Sequence, residues 1–211
     1  MLQTATVHPA TLAILKRLMA LPELRQFNLV GGTALALQIG HRESIDLDLF
    51  TVNDFDNGLI ISVVAEIGNS EVLVDKPPFL QLRLDDVKLD FLKFPYGFVQ
   101  EFVEIEGIRL VDVERIAVMK LLAIARRGSK KDFIDIFFIL KTHSLEAIML
   151  IFSKILPSVD TFHILKSLNY FEDAESDANP RMFIQVSWSE VKRALIKVLG
   201  DFFEGSFEQR Q

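Results

Sequence analysis

In "LVGGTALALQIGHRESIDLDLF" (residues 29–50) a short apolar strand runs into two glycines and a threonine, then an apolar helix, then a strand interrupted by acids. The run 27–30 reads as a buried strand, and 33–39 as a short helix starting behind Gly31 and Gly32. Residues 44–51, "SIDLDLFT", alternate with period two, the pattern of a strand with two unlike faces. Residues i and i+2 of a strand share a face, so Asp46 and Asp48 project together. Ile45, Leu47 and Leu49 then turn to the other side and supply the core.

Two neighbouring carboxylates repel each other, so the pair needs a partner. One solution is solvent on an edge strand, or an ion pair with Arg42. The other is a divalent cation, Mg²⁺ or Mn²⁺, held by hard oxygen ligands and completed by water and substrate phosphates. That behaviour suits nucleotidyl transfer. The order of elements favours it: Gly31-Gly32-Thr33 stands between strand and helix, where free backbone N–H groups at a helix N-terminus bind phosphate. Thr33 adds a hydroxyl donor toward a triphosphate, and Arg42 and Ser44 brace the acidic strand or touch substrate.

Further along, 58–68 reads as a helix closed by Gly68, and "EVLVD" as a strand. "FLQLRLDDVKLDFLKF" is a hairpin about Asp85–Asp86. In its second arm Val87, Leu89 and Phe91 share one face, and Asp90 lies on the other with Lys88. Asp90 is either a third carboxylate completing a two-metal site, in which one ion activates the attacking oxygen and the other steadies the leaving pyrophosphate, or a salt-bridge partner of Arg83 on the facing strand. Helical periodicity then covers about 112–127, 130–142, 145–155 and 187–204, and the acidic stretch ending at Pro180 reads as a linker or surface lid. The fold class is α+β. A mixed α/β domain over residues 1–110 is followed by a helical portion, 111–211, packed on it.

At 211 residues, half of them hydrophobic and a quarter charged, the composition is that of a folded chain with one ordinary core. The absence of cysteine excludes disulfides and thiolate metal sites. The opening stretch, 1–27, reads as an amphipathic helix with Leu12, Leu15, Leu18 and Met19 on its apolar side, not as a leader. "FIDIFFIL" is too short and too charged to span a bilayer, so the expectation is a soluble, cytoplasmic protein with no membrane partner. A net charge of −6 excludes indiscriminate nucleic-acid binding. Arg126, Arg127, Lys130 and Lys131 form a local basic cluster that serves a triphosphate, a nucleic-acid acceptor or solubility.

Lys120 and Arg127 share a helix face. Lys120, between Met119 and Leu121, either snorkels to the surface or clamps a triphosphate. Ser129 and Asp132 have the spacing of a capping box, which makes Asp132 a structural cap. Asp135, among Phe133, Ile134, Ile136 and Phe137, either pairs with Lys131 or Arg127 across two helices or orients Lys120 or Arg127 toward phosphate. His41 reads as a turn residue and Trp188 as a packing anchor for the last helix.

"GGTALALQIGHRESIDLDLF" resembles the opening motif of the AbiEii/AbiGii abortive-infection toxins, a branch of the polymerase-beta-like nucleotidyltransferase superfamily. "ERIAVMKLLAIARRGSKKDFIDIFFIL" (114–140) is similar to that family's paired helices, and "LKSLNYFEDAESDANP" to a late segment; the likeness spans about 28–180. It implies a polymerase-beta-like fold with a mixed sheet flanked by helices, a nucleoside triphosphate donor and Mg²⁺. Gly32 and Thr33 match a phosphate-contacting Gly-Ser pair, and Asp46 and Asp48 the metal pair. Asp90 matches a third carboxylate by strand order, Lys120 the helical lysine and Asp135 the later aspartate. The resemblance also implies an RNA acceptor, including tRNA, and the toxin half of a toxin–antitoxin pair with a cognate antitoxin, while the acidity of the chain leaves a protein or small-molecule acceptor open. The competing expectation is a non-catalytic nucleotide-binding or regulatory module that kept the fold.

Overall fold

A computed structural model of the chain describes residues 1–97 and 101–208 and resolves it into two compact units, Met1–Asp112 and Val113–Gln211. The first unit runs α1 (Pro9–Ala20), β1 (Asn28–Val30), α2 (Gly31–Ile39), β2 (Leu47–Thr51), α3 (Asn57–Ala65), β3 (Ser70–Lys76), β4 (Phe79–Leu84), β5 (Val87–Lys93), β6 (Phe102–Ile105) and β7 (Ile108–Val111). Its strands form one mixed sheet in the order β3-β4-β5-β2-β1-β7-β6. The acidic strand β2 is central, antiparallel to β1 and parallel to β5.

Leu47 and Leu49 of β2, Leu80, Leu82 and Leu84 of β4, and Leu89 and Phe91 of β5 are all buried. Each contributes roughly 1.5–3 kcal/mol on burial, which is what allows the opposite face of the same strands to carry Gln81, Lys88, Asp48 and Asp90. The strand starts three residues later than expected. β2 begins at Leu47, and Ile45, assigned from the sequence to the core, is 63% exposed because it precedes the pleated segment.

Asp85 and Asp86 form the two-residue hairpin turn, with φ of 44° and 68°, the left-handed pair that a primed turn requires. This turn sets Leu84 opposite Val87, so Gln81, not Arg83, faces Asp90. The helix expected to close at Gly68 ends at Ala65. Gly68 instead lies against the Asp85 side chain, whose Oδ1 accepts from Asn69 N at 3.0 Å.

The opening 27 residues do not form one helix: short 3₁₀ turns, Thr4–Thr6 and Pro22–Leu24, flank α1. Leu15, Leu18 and Met19 are buried, as their spacing requires. The β6–β7 hairpin, turning at Glu106–Gly107, was not legible in the pattern. β6 is largely exposed and carries no apolar alternation. β7 lies parallel beside β1, Leu29 against Leu110. From it Arg109 donates to the carbonyls of Met19 (2.9 Å), Leu24 (3.1 Å) and Phe27 (3.4 Å), tying the end of α1 and the entry to β1 onto the sheet.

The second unit comprises α4 (Val113–Arg127), α5 (Lys130–Ile139), α6 (Leu145–Ile155), α7 (Thr161–Ser167), α8 (Glu172–Glu175) and α9 (Trp188–Glu208). α5 is buried from Asp132 through Ile139, as a helix apolar on all sides must be, and packs on α4 and α9. It ends at Ile139, short of the expected 142. The acidic stretch before Pro180 is not a free linker or lid. Asp177 accepts from Lys130 N at 2.9 Å, and Glu175 accepts from Trp188 Nε1 at 3.1 Å and from Lys192 Nζ at 2.6 Å. Trp188 packs edge-on against Phe133 and Phe171. Among the described residues no helix is long and apolar enough to cross a membrane.

Candidate active site

The acids of the first unit are brought together by strand register. In the parallel β2–β5 pair Asp48 stands directly against Asp90, so both carboxylates leave the same face. Asp46, just before β2, joins them through Lys88. That ammonium lies 3.4 Å from Asp46 Oδ2 and 3.8 Å from Asp90 Oδ2. Asp90 also accepts from Gln81 Nε2 at 2.9 Å, while Arg83 is spent on Glu71 at 2.8 Å. The expected Asp90–Arg83 bridge is therefore replaced by Asp90–Gln81, as the turn length dictates.

Burial works against the charge on Lys88, but Asp90, then Asp46 and Asp48, outweigh it and hold its pKa above the ordinary lysine value. This face of β2 and β5 carries Asp46, Asp48, Asp90 and Lys88, and Asp46 and Lys88 are about a third exposed. It is an electrostatically unbalanced site open to solvent.

The glycine pair is built around these side chains. β1 pairs Val30 with Asp48, and the next residue, Gly31, begins α2 with φ of +69°. A Cβ on Gly31 would sit 2.3 Å from Asp48 Oδ2, and one on Gly32 would sit 2.6 Å from Arg42 Nη2. The Asp48 carboxylate thus rests on the α2 N-terminus, and the Arg42 guanidinium beside it. Val30, the N-cap residue, has no polar side chain to cap that terminus. Its first-turn amides are of the kind that receive an anion.

Thr33 does not present its hydroxyl as expected. It is fully buried and donates to the Asp46 carbonyl; its Oγ1 is also 2.8 Å from Ser44 Oγ. Ser44 N in turn donates to Thr6 O at 2.9 Å. Thr33 and Ser44 are braces that fix the chain entering β2, and Arg42, 4% exposed, donates to the Glu43 carbonyl at 2.9 Å.

Among the described residues no three His, Cys, Asp or Glu side chains are grouped so as to hold a metal ion by themselves. The donor set nevertheless suits a hard divalent ion. Mg²⁺ takes one or two carboxylates and completes its shell from water and phosphate oxygens, and Asp48 beside its two acidic neighbours offers that number.

The second expected cluster lies in the second unit, and its centre is a residue the sequence reading set aside. Asp132 is fully buried and accepts from Lys120 Nζ (2.9 Å), Arg127 Nε (2.9 Å) and Ser129 Oγ (2.6 Å). It is not a capping-box acid: Ser129 donates to it instead of capping the helix with its side chain. Burial alone would push its carboxyl up, but Lys120, Arg127 and Ser129 hold it at about 2. Asp135, also fully buried, pairs with Lys120 Nζ at 2.6 Å, a partner other than the Lys131 or Arg127 that the ion-pair expectation named.

Lys120 is accordingly enclosed, 6% exposed between two carboxylates, and neither snorkels nor points outward. Of the basic cluster, Lys130 is also buried, bonded to the carbonyls of Asp177 and Glu175, while Arg126, Arg127 and Lys131 are exposed. The signal that marks Asp132 was present in the spacing: Lys120 and Arg127 on one face of α4 need an acid at the start of the next helix.

The family profile described as nucleotidyl transferase AbiEii toxin, type IV TA system, matches residues 13–208. An uncharacterized protein of Aquifex aeolicus is 33% identical over 196 residues, 90% of this chain and 94% of that one. Among solved structures, a Helicobacter pylori protein assigned as a nucleotidyltransferase superposes with a TM-score of 0.58 at 22% identity, covering 97% of this chain and 99% of that one. The Mycobacterium tuberculosis nucleotidyltransferase toxin MenT4 does so with a TM-score of 0.54 at 16% identity, over 90% and 83% of the two chains. These likenesses carry the fold, that of the polymerase-beta-like nucleotidyltransferases. A family match that takes in both the glycine–acid motif and the Lys120–Asp135 helices settles the kinship: the chain is a member of the AbiEii nucleotidyl transferase toxins of type IV toxin–antitoxin systems.

Proposed function

We propose that the first unit transfers a nucleoside monophosphate from a nucleoside triphosphate to an acceptor hydroxyl in a reaction that depends on Mg²⁺ or Mn²⁺. The observation that carries this reading is the register of Asp48 against Asp90, with Gly31 pressed beneath Asp48 at the start of α2. Asp46 and Asp48 would hold the metal, and Asp90 would complete the set or take the proton of the acceptor hydroxyl. The ion, when bound, supplies charge neutralisation on the phosphates and on the departing pyrophosphate.

The amides of Gly31 and Gly32 receive a phosphate oxygen at the helix N-terminus. Buried Arg42 adds positive charge beside Gly32, while Thr33 and Ser44 keep the acidic strand in place. Lys120 and Asp135 act as positioning residues of the second unit, because the lysine is committed to Asp132 and Asp135. Arg127, whose side chain is 57% exposed, and its exposed neighbours Arg126 and Lys131 offer a basic surface suited to a polyanion such as RNA, tRNA included. Family membership supports a cognate antitoxin as partner, a role in abortive infection, and a site of action in the cytoplasm.

The test is incubation of the protein with each labelled triphosphate and total RNA or protein, with Mg²⁺ or with chelator. The expected result is label on one class of acceptor, lost with chelator and with Asp48→Asn. Label transfer that survives both would refute the reading. Absence of transfer, combined with metal-independent triphosphate binding that Asp46→Asn leaves intact, would replace it with a binding module.

A further inference from the structure

Lys88 stands on the ground between the acids. It leaves β5 two residues before Asp90 on the same face, and its ammonium lies 3.4 Å from Asp46 Oδ2 and 3.8 Å from Asp90 Oδ2. Neither the core nor the hairpin calls for a cation here. Val87, Leu89 and Phe91 fill the buried face, and the residue paired with Lys88 across the hairpin is Arg83, itself a cation. Like charges directly opposite on paired strands are unfavourable, so attraction from Asp46 and Asp90 is what holds the ammonium where it is. A divalent ion that took both Asp46 and Asp90 would have to stand where this ammonium stands.

We propose that Lys88 is a tethered counter-cation that competes with the divalent ion for Asp46 and Asp90, holding the metal affinity of the nucleotide-free protein low and yielding when metal arrives with a triphosphate. The inference rests on reading Asp46, Asp48 and Asp90 as metal-holding acids. Three carboxylates against the Lys88 ammonium and the Arg42 guanidinium still leave excess negative charge, so the site draws a further cation. Lys88 can yield because its side chain is 38% exposed and its four-carbon stem is flexible. An arriving triphosphate supplies negative charge that both the metal and the displaced ammonium can meet.

The experiment is titration of the full, nucleotide-free protein with Mn²⁺, followed by isothermal calorimetry and by the electron spin resonance of the free ion. Wild type, Lys88→Met, Lys88→Gln and the charge-preserving Lys88→Arg are compared. An opposite charge within about 4–6 Å shifts such equilibria by tenfold or more. Lys88→Met and Lys88→Gln should therefore bind Mn²⁺ about tenfold tighter or better, with Lys88→Arg near wild type. Mn²⁺ should also raise the melting temperature of the neutral variants more than that of wild type. Equal or weaker Mn²⁺ binding by folded Lys88→Met or Lys88→Gln overturns the inference, as does failure of every form to bind.

Label transfer separates this outcome from that of the catalytic reading. Tighter Mn²⁺ binding by the neutral variants without any transfer by wild type sinks the enzyme reading alone. Metal-dependent transfer with unchanged Mn²⁺ affinity sinks the role of Lys88 alone.

Discussion

Gly31→Ala tests whether the glycine turn exists to seat Asp48. Gly31 has φ of +69°, and a methyl group there lies 2.3 Å from Asp48 Oδ2 and 3.1 Å from its Cγ. Two costs follow. Holding an L-residue in the left-handed region costs roughly 1–2 kcal/mol, which for a chain of this size lowers the melting temperature by about 2–8 °C. Relief of the overlap requires the carboxylate to move by roughly 1 Å to reach ordinary contact distance, and a misplacement of that size costs on the order of 100-fold in rate.

Gly32→Ala is the matched control, since it has no positive φ and meets the end of the Arg42 side chain instead. It should keep the Asp48 geometry and lose less activity. Thermal melting and label transfer on the three proteins decide the matter. Gly31→Ala with both wild-type melting and wild-type transfer would refute the argument. A loss of activity equal in the two variants would refute the specific link to Asp48.

Lys120→Met should destabilise the protein by about 3–5 kcal/mol, because it takes the ammonium from fully buried Asp135 and leaves Asp132 with Arg127 and Ser129 alone; chemical denaturation measures it, and a change under 1 kcal/mol would show that the pair is not a buried charge network. The carboxyl of Asp132 is held at about 2, below its ordinary 3.8. Its contribution, about 2 kcal/mol, is complete above the ordinary value and disappears as pH falls through about 2. Stability measured from pH 5 to 2 should therefore fall more steeply in wild type than in Asp132→Asn, and parallel curves would contradict the assignment. Arg109→Ala removes the donors to the carbonyls of Met19, Leu24 and Phe27, and should cost about 2–3 kcal/mol and speed amide exchange in the segment between α1 and β1, which Arg109→Lys only partly restores.

The strand–glycine–helix–strand run was legible because each part carries a local signature: period two in β2, paired glycines at a turn, a short apolar helix between. Asp90 was placed on the right face for the same reason. Its partner was missed only because the two-residue turn at Asp85–Asp86 had not been used to count the register, which puts Gln81 and not Arg83 opposite. Other features are not local. β6 has no buried face to generate alternation, and β7 reaches β1 across most of the first unit, so the parallel pairing of Leu29 with Leu110 leaves no trace in either strand. Ile45 looked like the start of the pattern because alternation has no marker for where pleating begins. Asp132 was misjudged because its spacing from Ser129 imitates a cap, and only the position of Lys120, a turn and a helix away, reveals what it receives.

The two charge clusters of this chain look alike in sequence, with acids set among apolar residues and a lysine nearby, and their physics separates them. In the second unit two carboxylates meet Lys120 and Arg127, every acid is fully buried, and the charges cancel. Such a set is costly to disturb and has nothing left to offer a ligand, so its work is to fix α4 against α5. In the first unit Asp46, Asp48 and Asp90 face Lys88 with the Arg42 guanidinium nearby, Asp46, Asp90 and Lys88 are partly exposed, and three acids outnumber two cations. A protein keeps an unbalanced face on a central strand only at a cost in stability, and the leucines beneath it in β2, β4 and β5 offset that cost. The imbalance has the sign of a cation site, and the helix N-terminus beside it has the sign of an anion site. A metal–triphosphate carries both signs. It follows that charge-neutralising substitutions should act oppositely in the two units: Asp46→Asn or Asp90→Asn should raise stability in the absence of metal while abolishing its binding, whereas Asp135→Asn should lower stability and leave metal binding unchanged.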